Sequence, residues 1–492
     1  MFKNLKKKAI IKIVGALTLI EGIALLPCVA ISTVYDNSYT VYSLLAISLI
    51  FISLGYVPLK LLRKYKFRLK AHEGFFLSTL CWVYCSFLGA LPFFFSGSGY
   101  TFIECIFEAS AGFTTTGCSV VDLEVMAKGL ILWRSILNWL GGMGILVLLV
   151  SILPALGIGG QRIAQIETAG PALEKVGGRI SSTGQFLYIT YSVFTLCEFI
   201  LLAAGPLSAF DAIVNTFSSI STGGLLVTAE NAAAFDTVYI RAVVIVFTLL
   251  SSMNYTLYYY MINGRKKALT GNAEVRGFWL IIVVATILIT LNLIHEDIYT
   301  NAFSALKDAI SQVISFISTS GYYVCDYTKW PTFSTMLLFI LLLIGGCSMS
   351  TSGSLKVIRV MVLIKLVLRG IFKQIHPRSV KAVKISGKAI PAERVGEITA
   401  HILLYFMVLF FSFLVVSLDD LDMTTTITSV IGSFTNTGIA LGGPGPMGNY
   451  AVFSQFTMLY LSFLMIVGRL EMFAVIILFS KSFRRINSVE PI

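Results

Sequence analysis

Charged residues are scarce in this sequence. Of its 492 residues only 13% are charged and 56% are hydrophobic, and the mean hydropathy is +0.84. Soluble proteins carry about 25% charged residues. The composition therefore excludes a soluble globular protein, a disordered chain and a nucleic-acid-binding protein.

Motifs for metals, disulfides and nucleotides are missing as well. None of the 8 cysteines forms a CxxC pair and the 4 histidines do not cluster, so we expect the cysteines to be small buried hydrophobes. The glycine-rich stretches 157–160 and 442–445 lack the strand–turn–helix context of a phosphate-binding loop. No acid, base and nucleophile converge on one segment. We predict that the chain is not an enzyme and binds no nucleotide itself.

Long apolar runs are abundant instead. A helix needs about 20 apolar residues to cross the hydrocarbon core of a bilayer. The first run is longer than the apolar region of a signal peptide and no clear cleavage site follows it, so we interpret it as a retained span. The ten candidate spans are 10–32, 40–61, 74–96, 130–153, 184–206, 239–262, 277–294, 333–370, 396–418 and 451–480.

Basic residues lie on one side of these spans. With the N-terminus inside, 31 of the 37 Lys and Arg residues fall in the inner segments. Positive charge favours the cytoplasmic side of a membrane. The sequence thus predicts a multi-pass protein of the cell (inner) membrane with both termini cytoplasmic. The net charge of +12 reflects this topology rather than nucleic-acid binding, and a basic face also favours contact with anionic membrane lipids.

Four outer loops repeat one pattern. Each contains an apolar stretch of about a dozen residues, too short to span the bilayer, and the stretch ends in a small polar run with glycine. The glycines Gly117, Gly223, Gly321 and Gly438 are 106, 98 and 117 residues apart. The chain therefore divides into two leading helices and four copies of span, half-helix, polar turn and span.

The four polar turns have the composition of a cation filter. Backbone that stops at membrane depth is tolerated where it lines a water-filled path, and rings of carbonyl oxygens replace the hydration shell of a monovalent cation. Glycine permits angles that aim successive carbonyls one way, and the C-terminal ends of half-helices attract a cation. Ordinary Ser/Thr/Gly loops are the alternative, but four copies in register favour a filter. The predicted filter residues are Thr115, Thr116, Gly117, Ser221, Thr222, Gly223, Thr319, Ser320, Gly321, Asn436, Thr437 and Gly438.

Several other motifs match a known family. They lie at 133–135 and 139–144 in the first repeat, at 167–171 and 376–380 in inner segments, and at 468–471 in the last span. With the four turns in the same order, they make the chain resemble the TrkH/TrkG/KtrB superfamily of K+ transporters. The two extra N-terminal helices make it most similar to the TrkH/TrkG branch. The resemblance covers essentially the whole chain.

This resemblance implies a fold, an activity and partners. The fold is an all-α polytopic membrane protein with four pseudo-repeats of helix, pore half-helix, filter turn and helix around a central pore. The activity is K+ uptake through a selectivity filter, with K+ as the transported ion. The chain would form a homodimer and work with a cytosolic TrkA-type nucleotide-binding ring, for which 154–181 and 370–395 are candidate docking segments or plain linkers. An alternating-access cation transporter coupled to Na+ or H+ is the alternative.

The repeats predict five segments along the chain. These are a two-helix N-terminal membrane domain (1–70), pore repeat 1 (71–155), pore repeat 2 with its cytoplasmic lead-in (156–264), pore repeat 3 with a broken second helix (265–375), and pore repeat 4 with its cytoplasmic lead-in (376–492).

The run 333–370 is too long for one crossing, and glycine and serine interrupt its middle. In the family the corresponding segment is an intramembrane loop beneath the filter that acts as a gate. A glycine-rich helix kinked for close packing is the alternative. Met349 and Ser354 stand where glycine-type residues would be expected. The predicted gate residues are Gly345, Gly346, Cys347, Ser348, Ser350, Thr351, Gly353 and Arg469.

Arg469 lies near the middle of an apolar run, where an arginine costs at least about 2.5–3.5 kcal/mol. We expect it to face the pore below the filter and to repel a cation there, a role that the family resemblance supports. The alternative is an ion pair with Glu471 or with an acid of another helix. Residues two apart point to different sides of a helix, which disfavours the first of these pairs.

Other charged residues also fall in or near the apolar segments. Glu21 and Glu198 are expected to be protonated or hydrogen-bonded between helices, and Arg134 and Arg241 are expected to snorkel from the outer ends of their spans. Four acids lie in or near the half-helices, and the helix dipole favours a carboxylate at a helix N-terminus. A collective role of these acids in attracting cations to the pore mouth is the weaker interpretation. The four are Glu104, Glu108, Asp211 and Asp308.

Overall fold

The structure is a computed structural model that describes residues 7–65, 71–144, 180–224, 232–379, 382–445 and 448–479. These residues are mostly helical, which confirms the all-α class. A small antiparallel hairpin is an addition that the sequence did not predict. Its strands β1 (Lys384–Ile385) and β2 (Lys388–Ala389) pair with Lys384 opposite Ala389.

Three helices precede the repeats: α1 (Lys7–Ala24), α2 (Leu26–Tyr35) and α3 (Ser38–Leu61). Helices α1 and α3 pack closely because small residues face each other. A Cβ on Gly55 would lie 2.5 Å from the backbone nitrogen of Leu19. Such contacts are typical of helix pairs in membranes.

Four copies of a long helix, a short helix and a second helix follow. The long helices are α4 (Ala71–Phe95), α7 (Ile180–Ala203), α13 (Ala273–His295) and α17 (Ala392–Val416). The short helices are α5 (Phe102–Phe113), α8 (Ala209–Ile220), α14 (Ala302–Ile317) and α18 (Met423–Phe434). The second helices begin with α6 (Lys128–Gly142), α10 (Val238–Ser252), α15 (Thr332–Ile344) and α19 (Gln455–Arg469). This order matches the predicted repeat.

The second helices stop after 13 to 15 residues. Helix α10 bends by 90° into α11 (Tyr255–Ile262), α15 is separated by an irregular segment from α16 (Val357–Ile375), and α19 is followed by α20 (Phe473–Phe479). The spans predicted as single helices at 239–262 and 451–480 are therefore broken, and only the break within 333–370 was predicted. Residues of the predicted span 130–153 beyond 144 lie outside the described residues.

By length and composition, 6 helices of the described residues are able to cross a membrane, or up to 7 if the bent pair α10–α11 is one span. The other three of the ten predicted spans correspond to α6, α15 and α19. These helices are shorter than the roughly 20 residues that a full crossing needs. In each of these three repeats the second helix therefore ends before the predicted span does.

Side-chain caps fix where the short helices begin. Thr101, Ser208, Asn301 and Asp422 each accept a hydrogen bond from a backbone N–H of the following turn. Such caps satisfy donors that the first helical turn leaves unpaired. Shorter elements connect the helices: α9 (Ala232–Asp236), α12 (Ala268–Gly271), and 3₁₀ turns at Tyr327–Lys329, Ser417–Asp419 and Tyr450–Val452.

Neighbouring repeats pack second helix against short helix. Helix α6 contacts α8, α10 contacts α14, and α19 contacts α5, which brings the fourth repeat against the first. Of the cysteines, Cys197 is exposed and Cys325 is half-buried, whereas the other six are buried as predicted.

Candidate ion pathway

The four short helices end in turns of one backbone conformation. In each turn the second residue after the helix has a positive φ, namely 56° at Thr115, 56° at Thr222, 57° at Thr319 and 56° at Asn436. Two residues further on, glycines have φ of 80° at Gly117, 102° at Gly224, 76° at Gly321 and 69° at Gly438. Positive φ at a β-branched residue is rare and persists only where the surroundings impose it. The turns therefore share one imposed geometry.

The second turn lies one residue further along the chain than predicted. The N–H groups of Thr116, Gly223, Ser320 and Thr437 each donate to the carbonyl five residues earlier, at 2.9, 2.8, 3.0 and 2.9 Å. Gly223 therefore corresponds to Thr116, and Gly224 corresponds to Gly117. The predicted triplet Ser221, Thr222 and Gly223 is corrected to Thr222, Gly223 and Gly224. Two consecutive glycines fit the pattern equally well, which is why the sequence did not reveal this register.

The turns contact one another in a closed ring. A Cβ on Gly117 would lie 2.4 Å from the carbonyl oxygen of Gly223 in the second turn, and one on Gly224 would lie 3.6 Å from that of Ser320 in the third. A Cβ on Gly321 would lie 1.9 Å from the oxygen of Thr437 in the fourth turn. One on Gly438 would lie 2.4 Å from the oxygen of Thr116 in the first. The order one, two, three, four, one places the turns around a common axis.

The turns contain backbone oxygens that accept no hydrogen bond from the described part of the chain. No described residue donates a hydrogen bond to the carbonyl oxygens of Thr115, Thr116, Thr222, Gly223, Thr319, Ser320, Asn436 and Thr437. These residues are buried, and more than about 90% of buried backbone groups are normally paired. Four turns with two such oxygens each, arranged in a ring, form a set of ligands suited to a dehydrated cation.

Asn436 links the fourth turn to its neighbours. Its Nδ2 donates to Thr116 Oγ1 at 3.2 Å and to the carbonyl of Met465 at 2.8 Å. Asparagine also tolerates a positive φ better than most residues. The departure of this turn from the Ser/Thr pattern therefore adds a side-chain bridge between the fourth and first repeats.

A buried ion pair holds the first turn from behind. Arg134 Nε lies 2.5 Å from Glu108 Oε1, and Arg134 Nη2 donates to the carbonyl oxygen of Gly117 at 2.6 Å. Glu108 also accepts hydrogen bonds from Ser119 Oγ and the N–H of Val120. Arg134 is only 7% exposed. The prediction that it snorkels to water is therefore wrong, because a carboxylate within the same repeat satisfies it.

Arg241 is equally buried and braces the second and third repeats. Its guanidinium lies 2.5 Å from Asp308 and 2.6 Å from Asp236, and it donates to the carbonyl oxygen of Val324 at 3.5 Å. Asp308 also accepts a hydrogen bond from Tyr299. Snorkelling is wrong here too, and Asp308 joins α14 to α10 rather than standing free at a helix N-terminus.

The two buried glutamates lie between helices, as predicted. Glu198 of α7 accepts a hydrogen bond from Ser219 Oγ at 2.5 Å, and the carbonyl of Ser219 accepts the N–H of Thr222 at 2.9 Å. Glu198 therefore supports the second turn. Glu21 of α1 is fully buried against α4, in the neighbourhood of Cys85.

The irregular segment 345–356 fills the space directly beneath the third and fourth turns. The N–H of Gly353 donates to Thr319 Oγ1 at 2.6 Å, and a Cβ on Gly353 would lie 2.1 Å from the carbonyl oxygen of Thr435. Thr351 binds the carbonyl of Ser251 through both its N–H and its hydroxyl. The predicted gate residues of this segment are therefore together, outside any helix, and in contact with two turns.

Met349 and Ser354 adopt the conformation that usually requires glycine. Their φ angles are 55° and 61°, and Gly345 and Lys356 also have positive φ, 76° and 78°. Each non-glycine residue of this kind stores about 1–3 kcal/mol. The backbone at these two positions therefore has the positive φ that glycine adopts most easily, in agreement with the expectation of glycine-type residues there.

Arg469 binds backbone oxygens of two other segments. Its guanidinium donates to the carbonyl of Thr351 at 2.7 Å and to those of Gly141 and Gly142 at 2.8 and 2.6 Å. The end of α19 is therefore joined to the end of α6 and to the irregular segment. Glu471, the acid considered as its partner, is bound instead by Arg359 at 2.5 Å.

A cavity of about 70 Å³ lies beside Arg469, and its lining includes Met349, Gly353, Lys356 and Glu471. Lys356 is 3% exposed, and its ammonium donates to the carbonyl of Ser352. The ion pair of Arg359 with Glu471, which lines this cavity, had no sequence signal, since it joins residues more than a hundred positions apart.

Comparison with known proteins identifies relatives over nearly the whole chain. The family model TrkH, described as cation transport protein, matches residues 43–489. The Trk system potassium uptake protein TrkH of Salmonella typhimurium is 34% identical over 428 residues, covering 86% of this chain and 88% of that protein. The TrkH protein of Halomonas elongata is 31% identical and covers 97% of this chain and 99% of its own length.

A solved structure is similar to the whole fold. The crystal structure of the potassium transporter TrkH from Vibrio parahaemolyticus aligns with a TM-score of 0.86 at 29% sequence identity. The alignment covers 97% of this chain and 99% of that chain. The structural similarity to that transporter therefore includes both the leading helices and the four repeats of this chain.

Proposed function

Because this chain belongs to the TrkH family of cation transport proteins, we propose that it takes up K+ across the cell membrane through the ring of four turns. The observation that supports this most strongly is the set of buried carbonyl oxygens that have no hydrogen-bond donor among the described residues. Oxygens of this kind replace the water shell of a monovalent cation. The relatives named as potassium uptake proteins support K+ as that cation.

In this proposal the filter consists of residues 115–117, 222–224, 319–321 and 436–438. The C-terminal ends of the four short helices add negative potential at the inner side of the ring. The hydroxyl and amide groups behind the carbonyls hold the turns in place rather than ligating the ion. The ion pair of Arg134 and Glu108 serves the same purpose for the first turn.

The segment 345–356 and Arg469 form the gate in this proposal. The segment contacts the turns from below, and Arg469 ties it to α6. A positive charge in this position raises the energy of a cation leaving the filter. Opening would then require the segment to move away and the bonds from Arg469 to Thr351 to break.

Further parts of the proposal concern the assembly. The chain works as a homodimer in the cell (inner) membrane, with both termini cytoplasmic and in contact with membrane lipids. A cytosolic TrkA-type nucleotide-binding ring regulates it. The excess of lysine and arginine in the inner segments supports this orientation.

Substitution of a ring glycine tests the filter. Gly321→Ser would place a Cβ 1.9 Å from the carbonyl oxygen of Thr437 and would displace that ligand. We expect K+ over Na+ discrimination in Rb+ uptake assays to fall severalfold. Gly99→Ser is the matched control, because Gly99 has a similar positive φ, 80° against 76° at Gly321, but open space around it. Unchanged selectivity in Gly321→Ser, with the protein folded, would contradict the filter assignment.

A further inference from the structure

A second, larger cavity lies next to the irregular segment, where α11 ends and α13 begins. Its volume is about 730 Å³, and α11, α12, the starts of α13 and α16 and the hairpin form its walls. Ligand cavities are commonly about 300–1,000 Å³. The cavity is therefore large enough for a small molecule or a lipid headgroup.

The lining of this cavity combines basic and apolar side chains. The basic side chains are those of Arg265, Lys266, Lys267 and Lys388, whereas Glu274 is the acid among the described lining residues. The four basic residues are exposed, but Glu274 is only 3% exposed. The apolar part includes Leu257, Ile358 and Ile390.

The carboxylate of Glu274 is already occupied by the irregular segment. It accepts the N–H of Ser348 at 2.6 Å and Ser348 Oγ at 2.7 Å. Four basic side chains against this one carboxylate still leave the described lining with an excess of positive charge. Glu274 itself joins the cavity wall to the proposed gate.

Met349 separates the two cavities. It lines both the cavity beside Arg469 and the basic cavity. Its carbonyl accepts the N–H of Tyr255 at the start of α11. Ser348 and Met349, which belong to the proposed gate segment, also form part of the wall of the basic cavity. A ligand in the basic cavity would therefore contact these two gate residues directly.

We propose that the basic cavity binds a phosphate ester, with the phosphate at the basic side chains and the remainder of the ligand against the apolar side chains. Binding then shifts the equilibrium of the segment 345–356 between its closed and open arrangements. Arginine and lysine are the side chains that recognise phosphate. Basic pockets between helices on the cytoplasmic side of a membrane bind anionic headgroups. The same chemistry occurs in soluble phosphate esters, so the source is either a phospholipid headgroup or a soluble molecule.

The regulatory part of this inference rests on the proposed function, whereas the binding part does not. A ligand shifts the segment only by the difference between its affinities for the two arrangements. Its contact with the wall formed by Ser348 and Met349 is what would supply that difference. The tether from Glu274 to Ser348 connects the wall to α13.

Binding is tested with the purified full-length chain and three variants. Arg265, Lys266 and Lys267 are replaced together by glutamine, and Lys373→Gln is the control because Lys373 is exposed on α16 and does not line the cavity. Native mass spectrometry measures retention of phosphatidylglycerol against phosphatidylcholine. Calorimetry measures inorganic pyrophosphate as the soluble probe. We expect binding roughly 100-fold weaker in the triple variant, at about fivefold for each of the three cations removed, and unchanged binding in Lys373→Gln.

The outcomes separate the two sources. Phosphatidylglycerol retained by the wild type but lost by the triple variant supports a lipid headgroup, and pyrophosphate binding with the same loss supports a soluble ester. No binding of either probe to the wild type, or equal binding to the triple variant, overturns the site.

A third variant, Glu274→Gln, tests the regulatory part in Rb+ flux assays of proteoliposomes. We expect the bound probe to change the flux of the wild type and to change that of Glu274→Gln less. Ligand binding without any change in wild-type flux overturns regulation and leaves the proposed function intact. If Rb+ flux through the wild type shows no selectivity for K+ over Na+, the proposed function is contradicted and the binding result still stands.

Discussion

Buried ion pairs hold the backbone of the turns in place. Arg134 joins Glu108 of the first short helix to the carbonyl of Gly117. Arg241 makes a comparable bridge between Asp308 and the carbonyl of Val324. Removing one partner of a buried pair leaves an uncompensated charge. Arg134 should therefore contribute to the stability of the first turn, and Arg241 to the packing of α10 against α14.

Replacement of Arg134 tests this role. Arg134→Met leaves Glu108 buried and unpaired, and we expect the free energy of unfolding to fall by about 3–5 kcal/mol. Lys329→Met is the control, because Lys329 is 79% exposed in its pair with Asp326, and surface pairs contribute about 0–1 kcal/mol. Thermal unfolding in detergent measures both. Equal shifts for the two variants would show that Arg134 is not structurally important.

Several residue-level features could not be predicted from the sequence. The pairing of Arg134 with Glu108 depends on the packing of α6 against α5, and an apolar span gives no information about its neighbours. The register of the second turn was ambiguous because Gly223 and Gly224 are adjacent. By contrast, the other three turns lie at the positions where the sequence places them, since each has only one glycine after its polar run, and their role as a filter stays a prediction.

Arg469 offers a direct test of the proposed gate. Arg469→Ala removes a positive charge and three hydrogen bonds to backbone oxygens, so we expect Rb+ flux to rise at equal expression. Arg469→Lys keeps the charge but loses the fork geometry of the guanidinium, and its flux should lie between those of the wild type and Arg469→Ala. Zero flux in a folded Arg469→Ala protein would indicate a structural role instead.

Among the elements, the second helices have the most unusual form. All four stop after 13 to 15 residues, close to the level of the turns. Close packing requires glycine at two of these ends. A Cβ on Gly141 would lie 1.7 Å from the carbonyl of Phe113, and one on Gly468 would lie 2.1 Å from that of Phe434. Helices α6 and α19 therefore end where they touch the bases of the first and fourth turns.

The sequence predicted one of these breaks for a clear reason. Residues 345–354 are rich in glycine and serine, which disfavour helix. The breaks after Ser252 and Arg469 follow strongly apolar runs, where periodicity alone favours a continuous span. Contacts with other repeats decide these two cases, and such contacts are not visible in a single sequence.

Deletion of residues 348–350 tests the irregular segment as a gate. The deletion removes the bonds between Ser348 and Glu274 and shortens the segment beneath the turns. We expect Rb+ flux to stay high and to respond little to addition of the proposed TrkA-type subunit with nucleotide. Deletion of 97–99, an equally short outer segment, is the control. Regulation like that of the wild type in the 348–350 deletion would exclude the gate.

For the whole molecule, the ring of turns explains the repeat. Each repeat supplies one turn, and the contacts run from the first turn through the fourth and back to the first. Composition and the long apolar runs were sufficient to predict a polytopic membrane protein, and the four polar turns were sufficient to predict its repeat. The closed order of the turns follows from packing between repeats, so the sequence implied it only through the family resemblance.

Rb+ uptake into liposomes that contain only the purified chain tests the central claim most directly. K+, Na+ and Li+ are added in turn as competitors. The ring of buried carbonyl oxygens predicts that K+ competes strongly and that Na+ and Li+ do not, because the oxygens replace the hydration shell of K+. Equal competition by all three cations would contradict a K+-selective filter formed by the four turns.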